Sequence, residues 1–184
     1  MSAGGPGGSW SEAVAPPGDG PRPPVTVRPA TLADVDAVVA ILVDVAGEGR
    51  WIGTEAPVDV ERRRQRMVED VEGDHAIVLV AEAGGAPVGQ LGLHLAPYGV
   101  ADLGMAVAAG WRGRGVGSAL LAEAIDRARK AGAHKMALQV WPHNAAAIAL
   151  YERFGFQREG YLTRHYRRRS GELWDAVIMG LRLD

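Results

Sequence analysis

Arginine and glycine alternate through Arg112-Gly113-Arg114-Gly115-Val116-Gly117-Ser118, between a strand-like apolar stretch ending near Val107 and a helical apolar stretch. A helix start exposes unpaired N–H groups and a partial positive charge, which together attract phosphate. Glycine lets an anion approach the main chain because no Cβ stands in the way. The segment therefore reads as a cradle for a polyphosphate. Two familiar cradles are excluded by spacing. A P-loop needs G-x-x-x-x-G-K-[ST], but Gly110 and Gly115 are followed by Val116 and Gly117, with no lysine. A dinucleotide fingerprint needs G-x-G-x-x-G, but the sixth position is Ser118 counted from Gly113 and Leu120 counted from Gly115. The pattern that remains is Arg112-x-x-Gly115-x-Gly117.

A second segment follows about one strand later: Asn144-Ala145-Ala146-Ala147-Ile148-Ala149-Leu150-Tyr151-Glu152-Arg153-Phe154-Gly155-Phe156. Together the two resemble the signatures of the GNAT superfamily of N-acyltransferases, R-x-x-G-x-G and N-x-x-A-x-x-L-Y-x-x-x-G-F. The resemblance runs from Val25 to the C-terminus and implies an N-acetyltransferase that uses acetyl-CoA. It places the coenzyme A diphosphate on the main chain of Arg112, Gly113, Arg114, Gly115, Val116, Gly117 and Ser118, with the two arginines adding charge. It places the pantetheine arm along Met105, Ala106 and Val107, with Asn144 and Ala147 beside it. Asn144 also precedes an apolar helix, where it can serve as an N-cap.

Amide formation from a thioester requires two oriented substrates, a stabilised oxyanion, a base for the amine and an acid for the departing sulfur. No covalent enzyme intermediate is needed, which suits a chain without cysteine. The Val107 N–H is the expected oxyanion donor and Tyr151 the expected acid. Tyr151 can also be read as a half-buried aromatic on a helix face. Asp102 stands where many relatives carry a glutamate that works through water, and its shorter side chain weakens a direct role. His94, His143 and Glu48 are the alternatives. Acceptor selectivity is expected from Arg50, Trp51, Tyr98, Trp141, Tyr161 and His165. In that set an arginine beside a tryptophan can receive a carboxylate. The expected partner is a small-molecule amine, an amino acid or an amine-bearing antibiotic. A protein N-terminus or lysine is the rival acceptor, and a non-catalytic acyl-CoA sensor the rival role.

Composition narrows the classes further. With 184 residues, 47% hydrophobic and 23% charged, the chain has room for one domain with a full core. A formal net charge of −2 gives no general attraction to nucleic acid or anionic membrane. The histidines show no metal-ligand spacing, so no metal is expected. Residues 1–24 are about half glycine and proline and are expected to be a disordered tail, with no signal-peptide pattern and a cytoplasmic location. The run Arg164 to Arg169 is expected to form a solvated hairpin tip or a dimer contact.

The elements that must position these residues follow from periodicity. Strands are expected near 25–28, 75–83, 87–95, 100–108, 135–140, 157–166 and 174–183, and helices from about 31, 58–72, 118–131 and 145–154. That order predicts an α/β domain over 25–184: a mixed, mostly antiparallel sheet of about seven strands with helices on both faces. The resemblance further implies that the fourth and fifth strands splay apart to admit the pantetheine arm. The closing hairpin, with Tyr161, Trp174 and Ile178, offers an edge to a second copy, so a homodimer is compatible with the sequence.

Overall fold

The computed structural model describes residues 23–184, so all but the last two residues of the expected tail lie outside the described residues. The order is β1 (Thr26–Pro29), α1 (Val35–Gly47), α2 (Val60–Glu72), β2 (Ala76–Ala83), β3 (Ala86–Leu95) and β4 (Val100–Val107), then α3 (Val116–Lys130), β5 (Lys135–Val140), α4 (Ala145–Arg153), β6 (Gln157–Arg167) and β7 (Leu173–Arg182). The strands form one seven-stranded sheet in the order β1-β2-β3-β4-β5-β7-β6. Every neighbouring pair is antiparallel except β4 with β5. The expected mixed α/β sheet is therefore present.

Two cores lie on opposite faces. On one, Leu120, Leu121, Ala124 and Ala128 of α3 pack with Leu79, Leu91, Leu93, Met136 and Met179. On the other, Val35, Val38, Val39, Leu42 and Val45 of α1 pack with Met67 of α2 and with Val78, Val80 and Ala106. Each fully buried leucine or methionine contributes about 1.5–3 kcal/mol by leaving water. Asp59 caps α2 by accepting from the Arg62 N–H at 3.0 Å, which starts that helix two residues later than expected. Among the described residues no helix is long and apolar enough to cross a membrane.

The feature that creates the site is the separation of β4 from β5. They pair only at Val100–Lys135, Ala101–Met136 and Asp102–Ala137. Beyond that point β4 runs on to Val107 and β5 to Val140 without pairing to each other. The splay implied by the family resemblance is thus present, and it leaves one edge of β4 open.

β6 is the outer strand, whereas β7 lies between β5 and β6. Trp174 and Ile178 are therefore on an interior strand and offer no free edge. The β6 ladder is interrupted between Arg158 and Gly160 and again between Leu162 and Tyr166, where Arg164 adopts a φ of 52°. Such bulges blunt edge pairing.

Candidate active site

The Ala108 N–H donates to the Val88 carbonyl at 3.0 Å, which sets the sense of the β3–β4 ladder. Even-numbered residues of β4 direct their main-chain groups toward β3, and odd-numbered residues direct theirs into the notch. Met105 and Val107 therefore present main-chain groups to the gap. Side chains alternate independently: Ala106 packs on the α1 face, whereas Leu103, Met105 and Val107 pack toward α3 and α4.

The loop from Arg112 to Ser118 closes the upper end of the gap. Gly113 and Gly115 hold φ values of 69° and 82°, and a Cβ at either would meet nothing within 4 Å. Both demand glycine for conformation and both border open space. Gly117 has a different reason: a Cβ there would lie 3.1 Å from Leu150 Cδ2, so glycine allows α3, α4 and Met105 to approach closely. The N-terminus of α3 has no side-chain cap and no acidic residue in its first turn. The N–H groups of Val116, Gly117 and Ser118 are thus left for an anion.

Across the gap, Asn144 caps α4 by accepting from the Ala147 N–H at 3.3 Å. Its amide N–H groups remain available to a ligand, so capping and contact coexist. Arg153, two residues after Tyr151, donates to Ser118 Oγ at 3.2 Å and brings a cation to the N-terminus of α3. Tyr151 is 7% exposed, and its ring lies 5.6 Å from that of Phe156. Burial alone pushes its phenol up to about 12. The hydroxyl therefore stays protonated.

These residues line one cavity of about 830 Å³. Its walls are Leu103 to Val107 of β4, the loop around Arg112, Gly113 and Gly115, the inner face of α4 with Asn144, Ala147 and Tyr151, and an aromatic end made by Trp51, Trp141 and Tyr166. Trp141 meets Tyr166 and Trp174 edge-on, at 5.2 and 5.3 Å between centroids. Tyr166 donates to Gln139 Oε1 at 2.5 Å, leaving the Gln139 amide N–H groups to the cavity.

A strap formed by residues 48–57 crosses the aromatic end of the gap. His143 Nε2–H donates to the Arg50 carbonyl at 2.7 Å. Arg168 donates to the Gly53 carbonyl at 3.3 Å, and the Arg169 N–H donates to Glu55 at 2.9 Å. Arg63 donates to Thr54 Oγ1 at 3.0 Å. The strap leaves from α1 on one half of the sheet and is pinned to the other half.

An open-edged notch, an uncapped helix start and a cavity joining them form a place for an acyl-CoA. The family model described as Acetyltransferase (GNAT) family matches residues 45–156. The chain belongs to this family. An L-methionine sulfoximine/L-methionine sulfone acetyltransferase from Pseudomonas aeruginosa is 30% identical over 164 residues, covering 86% of this chain and 95% of that protein. The ribosomal-protein-alanine N-acetyltransferase structure from Brucella melitensis matches at a TM-score of 0.78 and 34% identity, covering 85% of this chain and 99% of that one. A Salmonella typhimurium acetyltransferase solved with its cofactor acetyl-CoA matches at 0.77 and 26% identity, covering 87% and 94%. The chain is thus an acyltransferase of a family that uses acetyl-CoA.

The fold of this acetyltransferase gathers most of the expected site residues and moves some away. Met105, Ala106, Val107, Gly113, Gly115, Gly117, Ser118, Asn144, Ala147 and Tyr151 all line the cavity, as do Trp51 and Trp141. Val116 is buried beneath the loop, and Arg114 projects from it as an exposed side chain. Arg112 lines the cavity, but its guanidinium is engaged elsewhere: Nη1 and Nη2 donate to Glu48 at 2.7 and 2.6 Å, and Nε donates to the Val107 carbonyl at 3.0 Å. Arg50 stacks on the Trp51 ring at 4.2 Å, outside the cavity wall. Tyr98 is not brought to the site. It is 71% exposed at the turn before β4, about 20 Å along the strand from Val107.

None of the expected bases lines the cavity. Asp102 lies one residue below it, on the α1 face. His94 projects toward Asp70 of α2, at 3.4 Å. His143 is bonded to the strap. Both oxygens of Glu48 are occupied, and the Arg112 guanidinium holds that carboxyl below its usual range. Arg168 also departs from expectation. It is a buried cation, stacked over Trp174 at 4.3 Å and Trp141 at 5.3 Å, with Glu55 at 3.5 Å, so it is no part of a solvated hairpin tip. Gln139, Arg153 and Tyr166 join the site through the fold: the first stands in no motif, and the other two lie in runs whose local pattern gives them no separate role. Period-two alternation along β5 could have flagged Gln139, a polar residue facing away from the α3 core.

Proposed function

We propose that this protein transfers the acetyl group of acetyl-CoA to the primary amine of a small, amino-acid-like molecule by direct attack. The observation that carries this reading is the strap. Residues 48–57 tie α1 to the loop before α4 and to the β6–β7 hairpin, and with Trp51, Trp141 and Tyr166 they bound the acceptor end. A polypeptide acceptor calls for an open groove across the sheet, and a bounded aromatic pocket suits a free amine. The Pseudomonas aeruginosa relative acts on methionine sulfoximine and methionine sulfone, which supports an amino-acid analogue as acceptor.

The residues divide the work as follows. Bound acetyl-CoA supplies the acetyl group as an activated thioester. The N–H groups of Val116, Gly117 and Ser118, with Arg153 beside them, hold its diphosphate. The main-chain groups of Met105, with the second lone pair of the Val107 carbonyl, hold the pantetheine amides in the manner of an added strand. The Val107 N–H donates to the carbonyl oxygen as negative charge develops there. Tyr151 donates a hydrogen bond to the departing sulfur. A phenol near 12 is a weaker acid than a thiol near 8.5, so that bond stabilises the thiolate without completing the proton transfer. With no carboxylate or imidazole on the cavity wall among the described residues, the amine's proton leaves to water. Gln139 is a donor for the acceptor's oxygen atoms.

A thiol-release assay across free amino acids, methionine sulfone, methionine sulfoximine, polyamines and peptides tests the reading. At least one free amino acid or analogue is expected to exceed every peptide by about tenfold or more in kcat/KM. A peptide as best acceptor would replace the reading with protein acetylation.

A further inference from the structure

One carboxylate ties the acceptor wall to the phosphate loop. Glu48 Oε1 accepts from Arg112 Nη2 at 2.6 Å, and Oε2 accepts from Arg112 Nη1 at 2.7 Å and from Trp51 Nε1 at 2.5 Å. The third donor of the same guanidinium, Nε, reaches the Val107 carbonyl at 3.0 Å. An unbroken path of hydrogen bonds thus runs from the end of β4 through Arg112 and Glu48 to the Trp51 indole.

We propose that Glu48 is a positioning residue for the acceptor, holding Trp51 in register with Val107 through Arg112. The inference rests on the reading that the Trp51 end of the cavity receives the amine. The geometry makes the arrangement directional. A planar guanidinium paired bidentately with a carboxylate leaves neither partner free to rotate. Arg112 takes its orientation from a main-chain carbonyl on the strand edge where the thioester must lie. Trp51 takes its orientation from Glu48. A wall set this way is aligned to the reacting carbonyl, independently of the rest of the strap.

Two consequences follow. Arg112 is the first residue of the R-x-x-G-x-G segment, so any adjustment of that loop around the diphosphate passes to Trp51. Acetyl-CoA and acceptor affinities are then coupled, each changing the other by the same factor. The pairing also neutralises Arg112, which leaves the anion to main-chain N–H groups and Arg153.

The experiment uses the full chain labelled with 5-fluorotryptophan, whose five tryptophans give separate fluorine resonances, Trp51 being assigned with Trp51→Phe. In the wild type, acetyl-CoA is expected to shift the Trp51 resonance. In Glu48→Ala that resonance should start elsewhere and no longer respond to acetyl-CoA, while those of Trp141 and Trp174 hold their places. On an amine that the wild type acetylates, Glu48→Ala should raise the acceptor KM about tenfold or more, with the calorimetric Kd of acetyl-CoA changed by less than about threefold. Glu48→Gln keeps an oxygen for Trp51 but loses the bidentate pair, and should fall between the two. If Glu48→Ala does not fold, Glu48→Gln carries both measurements. A Trp51 resonance indifferent to Glu48, or an acceptor KM and acetyl-CoA Kd that rise together, would overturn the proposal. Absence of turnover with any free amine would overturn the acceptor reading instead, and the fluorine spectra would still decide whether Glu48 holds Trp51.

Discussion

Asp102 stands opposite Ala137 in the last parallel pair of β4 and β5, and the cavity wall begins one residue later at Leu103. The carboxylate is therefore held at the closed end of the notch rather than in it. In the mechanism proposed above, water accepts the amine's proton. With a given substrate, kcat/KM should rise about tenfold per pH unit until the pKa of the amine itself, because only the neutral amine attacks. Asp102→Asn should keep that profile and about a third or more of kcat. A profile displaced by the substitution would return the base role to Asp102.

Gly115→Ala and Gly115→Asp separate strain from charge. The φ of 82° costs a side chain about 1–2 kcal/mol, while the space around a new Cβ is open. Gly115→Ala should lower stability by about 1 kcal/mol and weaken acetyl-CoA binding modestly. Gly115→Asp adds a negative charge beside the α3 N-terminus and should weaken binding about 100-fold, read by calorimetry. Equal affinities in the two variants would place the diphosphate elsewhere.

Tyr151→Phe removes one donor with little change in packing. kcat should drop about 10–100-fold or more, with acetyl-CoA affinity nearly unchanged. Because burial lifts the phenol to about 12, the wild type should show no loss of activity from tyrosine ionisation below about pH 10. A basic limb near pH 9 that vanishes in Tyr151→Phe would contradict that environment.

Asp34 makes stability pH-dependent on the acid side. It accepts from Arg28 at 2.8 Å and from the Thr31 N–H at 2.7 Å, and these bonds lower its carboxyl from 3.8 to about 2. A carboxyl depressed on folding stabilises the native state above its unfolded value, and the contribution disappears as pH falls through the folded one. Between about pH 5 and pH 2 the protein should lose about 2 kcal/mol from this group, measured by urea unfolding. Asp34→Ala should lack that part of the acid dependence.

Arg168→Ala should destabilise the fold by about 2–4 kcal/mol, because it strips a buried, stacked cation from Glu55 and the Gly53 carbonyl. The strap would lose a pin, so acceptor KM should rise more than the KM for acetyl-CoA. Thermal unfolding and steady-state kinetics read the two effects.

The sequence by itself determined the elements, their order and the glycine-rich loop before α3. Apolar periodicity, caps and glycine positions act over a few residues, so they are legible along the chain. Arg112-x-x-Gly115-x-Gly117 and Asn144 through Phe156 already implied a family, and Arg112, Gly115 and Gly117 of the first segment line one cavity with Asn144, Ala147 and Tyr151 of the second. Only the tertiary structure decided which side chains meet across the notch. Tyr98 and Trp51 look equally suited to an acceptor site, yet β4 carries the first to the far end and the strap carries the second to the cavity. Arg112 and Glu48 are 64 residues apart, and nothing local to either announces their pairing. Arg168 looks like one more cation in a surface run until Trp141, Trp174 and Glu55 enclose it. Long-range pairing depends on how sheet register and helix packing bring distant segments together, and residue type and spacing do not encode it locally.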